Sequence, residues 1–342
     1  MDSKLNNDLK IKILLRTSLK TLDAMSCTSK EFEKLTYHPH LINLFKKRND
    51  IVSGIIVETN NKSENYINEF APSSGSKYID LSFLPHNARI KASSEHGIVV
   101  FETSDSKSYG LNSYYVCKLA TKQVLALPNP KTKYLTQKVA IIVLNSNPLH
   151  YKIVRLSRPV YPISQTQDKL YTAYRCEIFN SRTWSWKLQN LLKLPFRVFP
   201  TYPQPITARG SIYMLLTNNN ILKFDAYSEI WSIFLSPVSD HRGYEFRQLV
   251  KYEGRLGFGC KRLDGSWEIW VLGINELWKK INVFGEDEDV NARKRLNEVH
   301  SSTILVYNGS TFDKVVVTDI RSYKFFVYRS DFEPTDLTGK LE

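Results

Sequence analysis

Long hydrophobic runs are missing from this 342-residue chain. Its longest uninterrupted apolar stretch, Val139 to Leu144, falls far short of the roughly 20 residues that cross a bilayer as a helix. The opening residues Met1 to Asp8 hold no apolar core of the kind a secretory signal needs. Cysteine is scarce: Cys27, Cys117, Cys176 and Cys260 lie tens of residues apart with no C-x-x-C spacing. They read as reduced core thiols of an intracellular protein, not as a disulfide or zinc framework. Acidic residues are the minority charge, 34 against 47 basic, and the net +13 points to an acidic partner or nucleic acid while saying nothing about fold.

Catalytic signatures are missing as well. The chain has no G-x-G-x-x-G, no G-x-x-x-x-G-K-[ST], no H-E-x-x-H and no G-x-S-x-G. Ser74-Gly75-Ser76-Lys77 fits S-x-x-K but reads as a solvated loop. His38-Pro39-His40 is a close histidine pair with no third ligand nearby, so it reads as a helix start. His86, His96, His150, His241 and His300 are scattered singly. Glu286-Asp287-Glu288-Asp289 is followed by Arg293-Lys294-Arg295 and reads as a loop that neutralises itself. No catalytic residue, metal or cofactor is expected.

What is present divides into two patterns. Residues 1–48 are helical in period. Asn6, Asn7 or Asp8 caps a first helix, and Leu9, Ile13 and Leu14-Leu15 recur along it. Thr17-Ser18 interrupts, Leu19, Leu22 and Met25 mark a second short helix, and Thr28-Ser29-Lys30-Glu31 opens a third with capping-box spacing. So short a segment cannot hide all its leucines and isoleucines, so it must dock on the rest of the chain or on a partner.

From residue 49 to 342 the pattern is of short strands separated by Gly, Asn, Ser, Asp and Pro, with aromatics at 12% favouring strands. Ile51–Val57, Gly97–Phe101, Val139–Leu144 and Lys314–Val317 are the clearest. A unit recurs over Gly97–Leu127, Tyr151–Leu188, Gly210–Leu235, Gly254–Ile281 and Ser302–Tyr328, with Ile51–Leu84 as a weaker copy. Its marks Phe179, Phe224, Ile269 and Val317 are spaced 45, 45 and 48 residues apart, which suits four-stranded propeller blades. The expected body is therefore a β-propeller of about six blades, with a β-sandwich as the competing all-β solution.

The helical start resembles an F-box of the plant type. Leu5, Asp8, Leu9, Ile13, Leu14, Arg16, Lys20, Leu22, Cys27, Ser29, Lys30, Leu35 and Pro39 stand where that pattern, L-P-x-D-L-x-x-E-I-L-x-R-L-P-x-K-S-L and, a few residues on, C-V-S-K-x-W-x-x-L-I-x-x-P-x-F, has matching residues. Asn6, Lys12 and Thr17-Ser18 depart from it. The body is similar to the F-box-associated repeat region of the same family, through Tyr115–Pro128, Tyr151–Leu156, Ile221–Asp225, Glu253–Leu256 and Glu268–Leu272.

The resemblance implies a non-catalytic, cytoplasmic or nuclear substrate-recognition subunit of a Skp1-cullin-F-box ubiquitin ligase. The helices would bind Skp1, and through it the cullin, while the repeats would present a target protein. Leu5, Leu9, Ile13, Leu14, Leu22 and Cys27 are the positions expected to face Skp1 or fill the module's core. The module's ten basic residues against five acidic ones suit an acidic partner. A propeller enzyme acting on carbohydrate and a basic nucleic-acid-binding protein are the alternatives. Target recognition is expected on the long connections Glu58–Lys77, Ser157–Tyr174, Leu194–Ile206 and Phe284–Val299.

Overall fold

The computed structural model describes residues 7–17, 25, 28–36, 41, 51–60, 66–73, 76–94, 96–104, 112–146, 148–158, 171–201, 203–238, 243–284, 302–307, 312–317, 323–331 and 337–338. Contacts divide the chain into two compact units. The first is Met1–Ile163 with Tyr174–Leu191 and Phe325–Glu342; the second is Ser164–Ala173 with Leu192–Lys324.

Among the described residues two helices open the first unit, α1 (Asn7–Leu14) and α2 (Lys30–Thr36). Thr17 ends α1: its backbone N–H and its hydroxyl both donate to Leu14 O, at 3.1 and 2.7 Å. The cap of α2 lies one residue later than the capping-box spacing suggests, since Phe32 N–H donates to Ser29 Oγ at 3.2 Å. The Thr28 hydroxyl turns back instead to Met25 O, at 2.7 Å.

The rest is mostly β. The strands are β1 (Ile51–Asn60), β2 (Tyr66–Pro72), β3 (Ala88–Ser93), β4 (Ile98–Ser104), β5 (Asn112–Lys118), β6 (Gln123–Ala126), β7 (Leu135–Ser146), β8 (Leu149–Arg158), β9 (Tyr171–Asn180) and β10 (Ser185–Leu188). The second unit adds β11 (Leu192–Pro195), β12 (Ile206–Ala208), β13 (Ser211–Leu215), β14 (Ile221–Asp225), β15 (Ile230–Phe234), β16 (Tyr244–Tyr252), β17 (Arg255–Arg262), β18 (Trp267–Leu272), β19 (Trp278–Phe284), β20 (Ser302–Tyr307) and β21 (Phe312–Val317). Last comes β22 (Tyr323–Asp331).

Four sheets are meanders of consecutive strands, β3–β6, β7–β10, β12–β15 and β16–β19, the blade unit of a propeller. The periodic marks Phe179, Phe224 and Ile269 each fall on the third strand of such a sheet. Two expectations need correction. The Ser302–Tyr328 unit splits: β20 pairs only with β21 among the described residues, while β22 joins β1 and β2 in the order β2-β1-β22. The last described strand thus joins the first described sheet. Against about six expected blades, the described residues form five sheets of three or more strands and one two-stranded hairpin.

The β3–β6 and β16–β19 sheets are apolar on both faces because they pack on both sides, which explains runs too continuous for simple alternation. In β4, Val99 and Phe101 enter a cluster with Ile56, Phe70 and Tyr328. Ile98 and Val100 enter another with Tyr151, Ile153 and Phe179. In the second unit, Leu256 and Phe258 of β17 pack with Tyr213 and Ile221. Val250 of the same sheet packs with Trp267 and Ile269 on its other side.

Turns repeat with the sheets. The link between third and fourth strand carries a non-glycine residue at positive φ in all four meanders, as its last residue at Lys122 (54°), Trp184 (49°) and Glu229 (58°) and as its second-last at Glu276 (60°). In the third meander Asp225 Oδ1 holds that turn, accepting from the N–H groups of Tyr227 (3.0 Å) and Ser228 (2.8 Å). First and second strands join through Arg209-Gly210 and Glu253-Gly254, both residues at positive φ, the geometry of a two-residue type I′ hairpin.

Candidate functional site

α1 is apolar on two sides. Leu14 is fully buried and packs with Leu35 and Leu41, joined by Ile11, Leu15, Met25 and Phe32. Leu9 and Ile13, four residues apart and so neighbours on one face, stay 49% and 45% exposed. Lys12 and Arg16 are exposed too, and the 100° step of a helix sets them beside that pair. The first helix therefore spends one apolar stripe on its own cluster and offers a second, with cations alongside, to the outside.

Of the positions singled out from sequence, Leu14 is core, while Leu9 and Ile13 are surface. Leu5, Leu22 and Cys27 lie outside the described residues. So do His38 to His40, His241, His300, Ser74-Gly75 and the charged stretch Glu286–Arg295. Cys117, Cys176 and Cys260 are buried and in no disulfide, and burial pushes the Cys117 thiol up to about 12. Ser76 pins a loop, its Oγ accepting from Ser53 N–H at 2.8 Å. The Glu58–Lys77 connection contains a strand, β2, paired in register with β1.

Inside the sheets, carboxylates are buried with their countercharges. On β8 and β9, Arg155 and Glu177 are directly opposite each other, at 3% and 0% exposure, and form a salt bridge. Glu177 also accepts from the Thr132 N–H (2.9 Å) and hydroxyl (2.7 Å). Arg155 Nε donates to Thr136 Oγ1 at 2.8 Å, and its other nitrogens reach Tyr134 O and Thr132. Tyr114 joins through Thr136, at 2.5 Å. Burial, with the Glu102 charge nearby, pushes its hydroxyl up to about 12.

Glu102 on β4 meets Lys91 Nζ at 2.9 Å and Arg89 at 3.4 Å. Burial alone would raise its carboxyl, but those two cations hold it below the usual range. Glu268 on β18 repeats the arrangement, with Lys280 at 2.7 Å and Arg262 at 2.9 Å outweighing burial. Sequence reading quoted the strands holding Arg155, Glu177 and Glu268 without pairing them, because a cross-strand partner depends on register. Among the described residues no three His, Cys, Asp or Glu side chains group as a metal site. In each of these clusters the buried carboxylate is compensated by one or two cations, and the pairs fasten the sheets.

Repeated four-stranded meanders, fastened inside by buried ion pairs, make this a repeat protein of the β-propeller class. Residues 40–337 match the family model of the F-box associated beta propeller domain, and the chain belongs to that family. It is 33% identical over 169 residues to F-box protein At5g41720 of Arabidopsis thaliana, spanning 46% of this chain and 88% of that protein. The provisionally named F-box protein At4g38870 of the same plant is 24% identical over 305 residues, 80% of this chain and 66% of that one. Among solved structures, TolB of Acinetobacter baumannii aligns with a TM-score of 0.42 at 8% identity, over 81% of this chain and 63% of that one.

Proposed function

We propose that this chain is the substrate-recognition adaptor of a Skp1-cullin-F-box ubiquitin ligase. Residues 1–48 would act as the Skp1-binding F-box module and residues 49–342 as the body that presents a target protein. The adaptor performs no bond chemistry: it holds the target near a ubiquitin-charged enzyme, turning a bimolecular encounter into an effectively intramolecular one. Its place of work is the cytoplasm or nucleus, with its partners. Family membership supports the reading, and one observation carries it: the exposed pair Leu9 and Ile13, held outward by the buried Leu14 and accompanied by Lys12 and Arg16. That pair fits an apolar groove with an acidic rim.

Core and surface positions make different predictions. Leu9→Asp and Ile13→Asp place a charge in the docking face, leave the cluster around Leu14 intact, and should weaken a co-expressed Skp1-like protein's binding more than about tenfold. Leu14→Asp should abolish binding by unfolding the module. A chain starting near residue 49 should not copurify with the Skp1-like protein. If Ile13→Asp and the truncated chain both retain it as the full chain does, the proposal fails. Comparing protein abundances with the proteasome blocked, in cells carrying the intact chain or Ile13→Asp, identifies the target.

A further inference from the structure

Eight non-glycine residues of the described chain have positive φ. Six belong to the repeating turns already described, and Asn219 is of a type that tolerates the left-handed region. Arg197, at 62°, is left without such a reason. Val198 N–H donates to Pro195 O at 3.0 Å, which puts Arg197 at the third position of a tight turn, where positive φ calls for glycine. A residue held in a conformation that glycine would adopt at less cost marks a place where the side chain matters.

The turn is also held firmly. Thr217 Oγ1 accepts from Phe199 N–H at 3.3 Å and donates to Arg197 O at 3.4 Å. Thr217 N–H returns to Phe199 O at 3.0 Å, and Pro200 pairs with Leu216 in an isolated bridge. This rigid turn presents two phenylalanines to solvent, Phe196 at 59% and Phe199 at 48% exposure, with the Arg197 guanidinium 5.2 Å from the centre of the Phe196 ring. Among the described residues no carboxylate lies within ion-pair distance of Arg197. Aromatic rings with an arginine, preorganised on one turn, have the composition of an interface hot spot.

Charge identifies the partner. Within the second unit, Leu192 to Phe224 contains no Asp or Glu, while Lys193, Arg197 and Arg209 are basic. We propose that Phe196, Arg197 and Phe199 form the docking knuckle for an extended acidic segment of a partner protein, one that sets a carboxylate next to an apolar side chain. The segment's carboxylate pairs with Arg197 while its apolar neighbour covers the two rings. This rests on the adaptor reading for its biological purpose, naming the target's chemistry, but its test is independent of Skp1.

The test selects a phage-displayed random dodecapeptide library on the purified full chain at near-physiological salt. Enriched peptides are then titrated by fluorescence anisotropy against the full chain and its variants, alongside a dodecameric oligouridine. Expected is enrichment of peptides with Asp or Glu beside Leu, Ile, Phe or Trp, weakened more than about tenfold by Phe196→Ala and Phe199→Ala. Arg197→Gly separates binding from folding, since glycine relieves the positive φ. It should melt at the same or a higher temperature and still lose the peptides. Absent enrichment, peptides without acidic residues, or equal binding by Arg197→Gly and both alanine variants would overturn the knuckle. So would oligouridine binding that depends on these residues when no peptide binds. An Ile13→Asp chain that keeps its peptides but loses Skp1 shows the two surfaces to be separate. Peptide binding by a chain that never binds Skp1 overturns the adaptor reading alone.

Discussion

Replacing Glu177 by alanine removes the countercharge from a guanidinium that is 3% exposed. Arg155 would keep its bonds to Thr136 and to the Tyr134 and Thr132 carbonyls, but these are neutral acceptors and leave a positive charge uncompensated at very low exposure. Breaking a buried pair in this way costs about 3–5 kcal/mol. The Thr132 N–H and hydroxyl lose an acceptor as well, at about 1 kcal/mol or more. Arg155→Met with Glu177→Leu removes both charges and fills the space with apolar atoms, so the double variant should recover most of the loss. Urea unfolding followed by tryptophan fluorescence reads the effect, with Trp186 placed to report it because it packs on Phe179, two residues from Glu177, at 5.5 Å. A loss below about 1 kcal/mol for Glu177→Ala, or a double variant no more stable than the single one, would refute the view that this pair is held by mutual need for compensation.

Glu102 and Glu268 have carboxyls held below the ordinary 4.5, so the folded state binds their protons less readily than the unfolded chain. Their contribution is complete above 4.5 and is lost as pH falls through the lowered folded values. Thermal melting should accordingly be flat near neutrality and fall in acid, and Glu102→Gln should make that acid limb shallower, at a lower starting stability. Asp225→Ala deletes the acceptor of the Tyr227 and Ser228 N–H groups and should lower stability by about 1 kcal/mol, measurable as a shifted urea midpoint.

Much of the architecture was legible because blade cores repeat. Phe179, Phe224 and Ile269 mark third strands since each is buried in the same part of its sheet, and the spacing of those marks survives divergence elsewhere. Three of the four first strands were not legible: β3, β12 and β16 carry Arg, Lys, Thr, Glu or Gln among their apolar residues, whereas Val139–Leu144 of β7 stood out. The units read within the four meanders begin one strand late, at or near the second strand. The placement of β22 was illegible for a different reason: a strand's partner is chosen by tertiary closure, and nothing in Tyr323 to Asp331 names β1 more than 250 residues away. The helical motif identified Leu9, Ile13 and Leu14 together without separating them. Only packing shows that Leu14 faces the cluster and the other two face out.

The positive surplus takes on a more local meaning once pairs are known. Within the sheets, Arg89, Lys91, Arg155, Arg262 and Lys280 are matched to Glu102, Glu177 and Glu268, so these cations do not contribute an outward field in proportion to their number. On the proposed function, the cations that matter for association are those beside exposed apolar side chains, Lys12 and Arg16 next to Leu9 and Ile13, and Arg197 next to Phe196 and Phe199. Such an arrangement divides the work physically. Buried apolar area governs how long a complex lasts, whereas rim charge governs how fast it forms and which partners it rejects. An acidic partner meeting either surface is drawn in by charge and retained by contact, and a basic one is turned away before contact is made. If the two proposed surfaces dock partners as argued, the excess of lysine and arginine acts as partner selection at particular surfaces more than as a uniform affinity for polyanions.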